Sequence, residues 1–328
     1  MYSNIKPTAQ NLKLKTAINV TLISCNTSLA YKSMKTLLSS NIEQYSTPPK
    51  MMSLLPSNGN DDINYDDVES FNKFFECWMV EQNKYLNELV AAKSAQPQLT
   101  NDRMHTLIDK VVEHYECYYK AKSSFAKKDV LSMFSPPWLS TLEEAFLWIG
   151  GWRPSMAFHL LYSKCSMQFQ ARLNDLIQGQ KTCDLGDLTA SQLAEFDDLQ
   201  KKTIREEREI TDMLAEHQET VADAPMVELS HVVSEMIRGG ENEKKDMEER
   251  IESVLQPKVE GLEKILFRGD DLRLRALQGI VNILTPKQGI HFLIAAAELH
   301  LRLHEWGKKK DDAKKGNQGI REGEIHNS

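Results

Sequence analysis

The stretch from Phe71 to Val90, FNKFFECWMVEQNKYLNELV, decides the fold class. Its apolar residues Phe71, Phe74, Phe75, Trp78, Met79, Tyr85, Leu86, Leu89 and Val90 recur at steps of three and four. That spacing lays a broad stripe along one face of a helix; a half-buried strand needs a step of two. Downstream the pattern repeats in Met104, Leu107, Ile108, Val111, Val112, Tyr115, Tyr118 and Tyr119. Thr141 with Glu144 has capping-box spacing and predicts a short helix that closes at Gly150–Gly151. Arg153–Pro154–Ser155 then opens the next helix, since proline is tolerated in a first turn.

Residues 179–187 read as a loop, and Thr189 opens a long helix through Leu214 with a dense charged face. Pro225 and Gly239–Gly240 bracket a shorter segment. Three further helices are expected: Met247 to Leu266 with a kink at Pro257, Leu272 to Leu284, and Pro286 to Trp306. No sustained alternation occurs, so the expectation is an all-α helical bundle of about seven to nine amphipathic helices. Residues 1–65 are rich in Ser, Thr and Asn, lack arginine, and are expected to be a disordered N-terminal extension. The domain proper is placed at residues 66–307, and the Lys-, Gly- and Asp-rich residues 308–328 are expected to be a disordered charged tail.

Composition agrees with long helices: 328 residues hold only 15 glycines and 11 prolines. Net charge is −7, yet residues 1–60 carry six lysines and one acid, so the body is strongly acidic. An acidic body repels phosphate backbones, and no basic helix precedes a heptad seam; direct nucleic-acid binding is not expected. The five cysteines are scattered, without a CxxC pair, which points to a reduced compartment and away from a disulfide framework or zinc ribbon. No stretch reaches the roughly 18–20 apolar residues of a membrane span.

Catalytic signatures are missing. Neither GxGxxG nor GxxxxGK[ST] occurs, and there is no GxSxG elbow. The constellation that invites chemistry is His300-Leu-Arg-Leu-His304-Glu305. Four residues apart on a helix, the imidazoles share a face, with Cβ atoms about 6 Å apart. A zinc protease needs Glu after the first His, where Leu301 stands, or at the third position on, where Leu303 stands. Two readings stay open: hydrogen-bonded core histidines, with His304 inside the apolar stripe and His300 at its edge, or ligands for haem or a metal ion. Side chains projecting the same way suit one ligand and one assisting group. The aromatic set Trp138, Phe146, Trp148, Trp152 and Phe158 could line a pocket or fill the core.

Taken together, SPPWLSTLEEAFLWIGGWRPSMAFHLL (135–161), LTASQLAEFDDL (188–199), DLRLRALQGIVNIL (271–284) and TPKQGIHFLIAAAELHLRLHEWG (285–307), with FECWMVEQNKYLNEL (75–89), resemble the delay-of-germination (DOG) domain of seed plants. The domain also forms the C-terminal half of TGA-type bZIP transcription factors, and the closing LHLRLHEWG is more similar to the germination-control branch. The resemblance covers about residues 70–307 and implies a non-enzymatic regulator of seed dormancy and abscisic-acid signalling in the nucleus or cytoplasm. It implies type 2C protein phosphatases as partners, met through a segment aligned with Lys73 to Met79; Phe75, Trp78 and Met79 are the candidate contacts. It implies haem on His300 and His304 as well. An alternative is a transcription-associated role beside bZIP factors, and self-association is left open.

Overall fold

The apolar stripe beginning at Phe71 becomes helix α1 (Asp66–Ser94), which buries Phe71, Phe74, Phe75, Trp78 and Leu89. We describe it from a computed structural model that covers residues 66–173, 184–236 and 244–325. The expectations for residues 1–65 and for Gly239–Gly240 lie outside the described residues. Helix α2 (Asn101–Ala126) starts where the Thr100 side chain accepts the Arg103 N–H, and turns Met104, Ile108, Val111, Tyr115, Tyr119 and Phe125 inward. α1 and α2 pack along each other, so their two stripes cover one another.

Short helices α3 (Val130–Phe134) and α4 (Thr141–Glu144) follow, then α5 (Ser155–Ala171). A 3-10 turn at Leu185–Asp187 leads into α6 (Ala190–Glu219), whose capping box joins Thr189 and Gln192. After α7 (Ala224–Met236) come two 40-residue helices, α8 (Lys244–Ile283) and α9 (Pro286–Ile325). α9 lies against α1, α2, α4 and α5, while α8 lies against α6, α2 and α3, and α5 also touches α6. The apolar inward faces of these helices merge into one core. The all-α bundle expected from periodicity is the fold found, and among the described residues no helix is long and apolar enough to cross a membrane. Cys77, Cys117 and Cys165 are free.

Several local expectations change. α8 is one helix where two were expected. Pro257 sits on its exposed side, where the carbonyl freed by the missing N–H can meet water, so the helix continues. The Arg268-Gly269-Asp270-Asp271 run, which reads as a stop, stays helical because Asp270 and Arg273 both face inward to partners. α9 does not end at Gly307 in a disordered tail. It runs on to Ile325, helped by Arg302–Glu305 and Glu305–Lys309 pairs at helical spacing (2.6 and 2.7 Å). The capping box of α4 is one residue earlier than expected, with Ser140 and Glu143 as its members. Gly150–Gly151 does not close a helix: α4 ends at Glu144, and the glycines make a tight hairpin turn.

Candidate functional site

The string FLWIGGWRPS holds the strongest motif, and its backbone explains it. Trp148 and Gly151 exchange both backbone hydrogen bonds, Trp148 N–H donating to Gly151 O at 2.7 Å and Gly151 N–H to Trp148 O at 3.2 Å. Between them Ile149 and Gly150 both adopt left-handed backbone, with φ of +48° and +63°. That is the two-residue turn which normally asks for Asn-Gly or Gly-Gly, and a β-branched residue at its first position is strained. Gly150 has no substitute, because a Cβ there would sit 2.3 Å from Met133 O.

Two buried cations hold the strained turn. Arg273 of α8, wholly inaccessible, donates from Nε to Trp152 O (2.6 Å) and from Nη2 to Ile149 O (2.9 Å) and to Trp148 O. Lys122 of α2 donates to Gly150 O at 2.7 Å. Asp270 Oδ1 bridges the pair, accepting from Lys122 at 3.0 Å and from Arg273 at 2.5 Å. One acid between two cations leaves a positive surplus that the turn's carbonyl dipoles offset. Burial drives the Lys122 ammonium down to about 8, Asp270 opposing and Arg273 adding to the fall.

α6 takes the other side of the motif. Glu207, 1% exposed, accepts from Arg153 Nε at 2.5 Å and from the Ser155 N–H at 2.8 Å, so a carboxylate from another helix caps α5. Trp148 Nε1 donates to Thr211 Oγ1 and Trp152 Nε1 to Tyr119 OH. The motif's polar side chains are thus engaged by structural partners. The aromatic set splits: Trp138 and Phe158 are core, whereas Phe146 is 61% exposed. Arg273, Lys122, Asp270 and Glu207 were not singled out from sequence. One signal existed, since Arg273 falls on the same face as the buried Leu272, Ala276, Leu277 and Ile280.

The two histidines sit where α9 crosses α1 and α4. His304 Nδ1 lies 3.0 Å from each Glu143 carboxylate oxygen, so Nδ1 carries a proton and donates it to the carboxylate. Burial pushes the Glu143 carboxyl up, but hydrogen bonds from His304 and from the Ser140 hydroxyl and N–H outweigh it and hold it below the usual range. The His304 ring meets the Phe75 ring edge-on at 5.6 Å. His300 packs against Trp78, centroids 5.5 Å apart, and burial lowers its imidazole to about 4. A third histidine joins them. His114 of α2 stacks parallel on the Trp78 indole at 4.6 Å, and burial, then the charge of His300, takes it down to about 3. Neither His114 ring nitrogen has a hydrogen-bond partner among the described residues.

The donors present suit a haem iron: His300 is neutral at physiological pH, and His304 is backed by a carboxylate in the way iron- and zinc-bound imidazoles are. Both rings are nonetheless packed against α1 aromatics. The candidate partner contacts share this fate, for Phe75 and Trp78 are 2% and 1% exposed and only Met79 reaches the margin of the core. A protein that reads Phe75 or Trp78 has to part α1 from α9 first. A cleft of about 310 Å³ opens between α6 and α8, lined by Met213, His217, Gly261 and Lys264 among others, with no lining residue from α9.

Comparison with known proteins fits this geometry. The family described as DOG1, seed dormancy control, matches residues 85–163, which include the strained turn. The chain is 31% identical over 246 residues to DOG1-like 3 of Arabidopsis thaliana, covering 73% of this chain and 84% of that protein. The chain belongs to the DOG1-like family. Arabidopsis thaliana RESPONSE TO ABA AND SALT 1 is 28% identical to this DOG1-like chain over 244 residues, 72% of this chain and 94% of that protein. Transcription factor TGA2.3 of Oryza sativa subsp. japonica is 27% identical over 234 residues, 71% of this chain and 62% of the factor.

Proposed function

We propose that this DOG1-like chain is a non-enzymatic regulator of seed dormancy and abscisic-acid response that works by binding protein partners in the nucleus or cytoplasm. The observation that carries the reading is kinship over nearly the whole length of dormancy and abscisic-acid proteins. The chemistry of the motif supports it: Arg153, Ser155, Glu207, Lys122, Asp270 and Arg273 are spent on one another and on backbone, the arrangement of a scaffold. Type 2C protein phosphatases are the partner class; of the three candidate contacts on α1 only Met79 reaches the margin of the core, and Phe75 and Trp78 stay buried unless α1 parts from α9. Capture of partners from seed extract by the full chain tests it. Recovery of a type 2C phosphatase is expected, and repeated recovery without one rejects that partner class.

A second reading is favoured by the match to TGA2.3, a transcription factor. In it the domain acts on transcription by joining bZIP proteins, and the same capture returns bZIP factors alone.

Haem is the proposed cofactor, held by His300 and His304. When bound it would supply an iron centre able to respond to redox state or small ligands. The chain's own part is to present two imidazoles, one oriented by Glu143 and one kept neutral by burial. Hemin added to the purified protein should give a Soret band. An unchanged band after His300→Ala with His304→Ala removes these residues as ligands.

A further inference from the structure

Two neighbouring hydroxyls begin α4, and each has a glutamate three residues on: Ser140 with Glu143, Thr141 with Glu144. Acid at that position is what acid-directed Ser/Thr protein kinases read. The structure treats the two hydroxyls differently. Ser140 is 2% exposed, its Oγ donates to Glu143 Oε2 at 2.6 Å, and α9 passes so close that a Cβ on Gly307 would sit 1.9 Å from that oxygen. Thr141 is exposed. Its Oγ1 donates to Asp311 Oδ1 at 2.5 Å and its N–H to Asp311 Oδ2 at 2.8 Å. Asp311 belongs to the part of α9 beyond Gly307, and one carboxylate on Thr141 therefore docks that extension on the body. The hydrogen bonds from Thr141, then the charges of Lys314 and Lys315, hold the Asp311 carboxyl below its usual range.

We propose that Thr141 is a phosphorylation site for an acid-directed Ser/Thr kinase, and that the phosphate detaches α9 beyond Gly307. In the transfer, Thr141 Oγ1 attacks the γ-phosphorus of ATP held by the kinase. The Oγ1–P bond forms, the bond to the β-phosphate oxygen breaks, ADP leaves with that electron pair, and the hydroxyl proton passes to the kinase's base. Phosphothreonine carries a charge of about −1.5 to −2 and has lost the donor that Asp311 used. Its oxygens fall where the Asp311 carboxylate sits, and two anions at hydrogen-bond distance repel, with Glu143 and Glu144 adding the same sign. Lys314 and Lys315 are exposed, and water-screened attraction of that kind is weak. The His304–Glu143 pair and the Gly307–Ser140 contact lie on the body side of Thr141, so α9 stays docked up to Gly307.

The test uses the full chain, an acid-directed kinase and ATP, with the phosphate mapped by mass spectrometry and amide hydrogen exchange followed over residues 308–316. Phosphate is expected on Thr141 and not on Ser140. Asp311→Asn should raise the initial rate about threefold by loosening the hydroxyl. Exchange over 308–316 should quicken about tenfold in the phosphorylated protein, and by a smaller factor in unphosphorylated Thr141→Val, which keeps the backbone bond. Modification of Asp311→Asn but never of the parent overturns the proposal, since the extension would then block the site instead of responding to it. So does a chain unmodified at Thr141 in both forms, or a phosphate on Thr141 that leaves exchange over 308–316 unchanged.

Discussion

Replacing Arg273 with Met keeps the side chain's length and apolar bulk while removing every donor. Three carbonyls lose a partner, but Trp148 O retains the Gly151 N–H, leaving Ile149 O and Trp152 O unanswered in the core. Each buried carbonyl without a partner costs about 1–3 kcal/mol. Breaking a buried ion pair costs about 3–5 kcal/mol when the remaining charge is stranded. Asp270 is not stranded, because Lys122 stays 3.0 Å away and is freed of Arg273's repulsion. The two carbonyls therefore set the scale, at about 2–6 kcal/mol in total, a large share of the 5–15 kcal/mol typical of a domain. With a urea slope of roughly 3 kcal/mol per molar, the midpoint followed by tryptophan fluorescence should fall by about 0.7–2 M. Arg275→Met is the control. Its pairs with Glu206 and Asp271 are solvent-exposed and are worth under about 1 kcal/mol. If Arg273→Met moves the midpoint no further than Arg275→Met, the view that the cation holds the turn is refuted.

Acid should destabilise the fold in a defined window. His114, His291 and His300 are lowered to about 3, 4 and 4, chiefly by burial, so the unfolded chain takes up protons first as pH falls below their ordinary value near 6.5. Stability is full above that pH and drops between about 6.5 and 4; His114→Phe should flatten the decline in urea midpoint. Gly307→Ala forces a Cβ to within 1.9 Å of Ser140 Oγ and should lower the melting temperature by about 3–9 °C; no change would mean that α9 yields there freely. Glu207→Ala strips the buried cap from Ser155 and should cost about 2 kcal/mol in a denaturation curve, whereas Glu209→Ala on the exposed face should cost almost nothing.

The helical architecture was readable because burial follows the three-and-four step: Phe71, Phe74, Phe75, Trp78 and Leu89 all lie at the core as their spacing demands. What failed was punctuation. Ser140 and Thr141 each have Glu three residues on, and spacing alone cannot choose between them; the choice falls to packing, since Glu143 also meets His304 while Glu144 faces out. Pro257 reads as a kink, and the stretch between Leu266 and Leu272 as a break, only until one knows which side of α8 is wet and which holds Arg273. The candidate site was half visible. His300 and His304 do share a face against the core, as a helical wheel implies. Their partners Glu143 and Trp78, and the neighbouring His114, come from three other helices, and no local pattern links residues so far apart in the chain.

The clamp on the left-handed pair has a consequence for how the chain is made. Arg273 is 124 residues downstream of Ile149, so a ribosome adding about 5–20 residues per second needs roughly 6–25 s to deliver it. Through that delay the nascent WIGGW segment has no guanidinium to answer its carbonyls, and an isoleucine alone has little reason to keep a positive φ. The hairpin is accordingly a late joint, sealed as α8 emerges and closes over it, and a chain truncated before Arg273 should never set it.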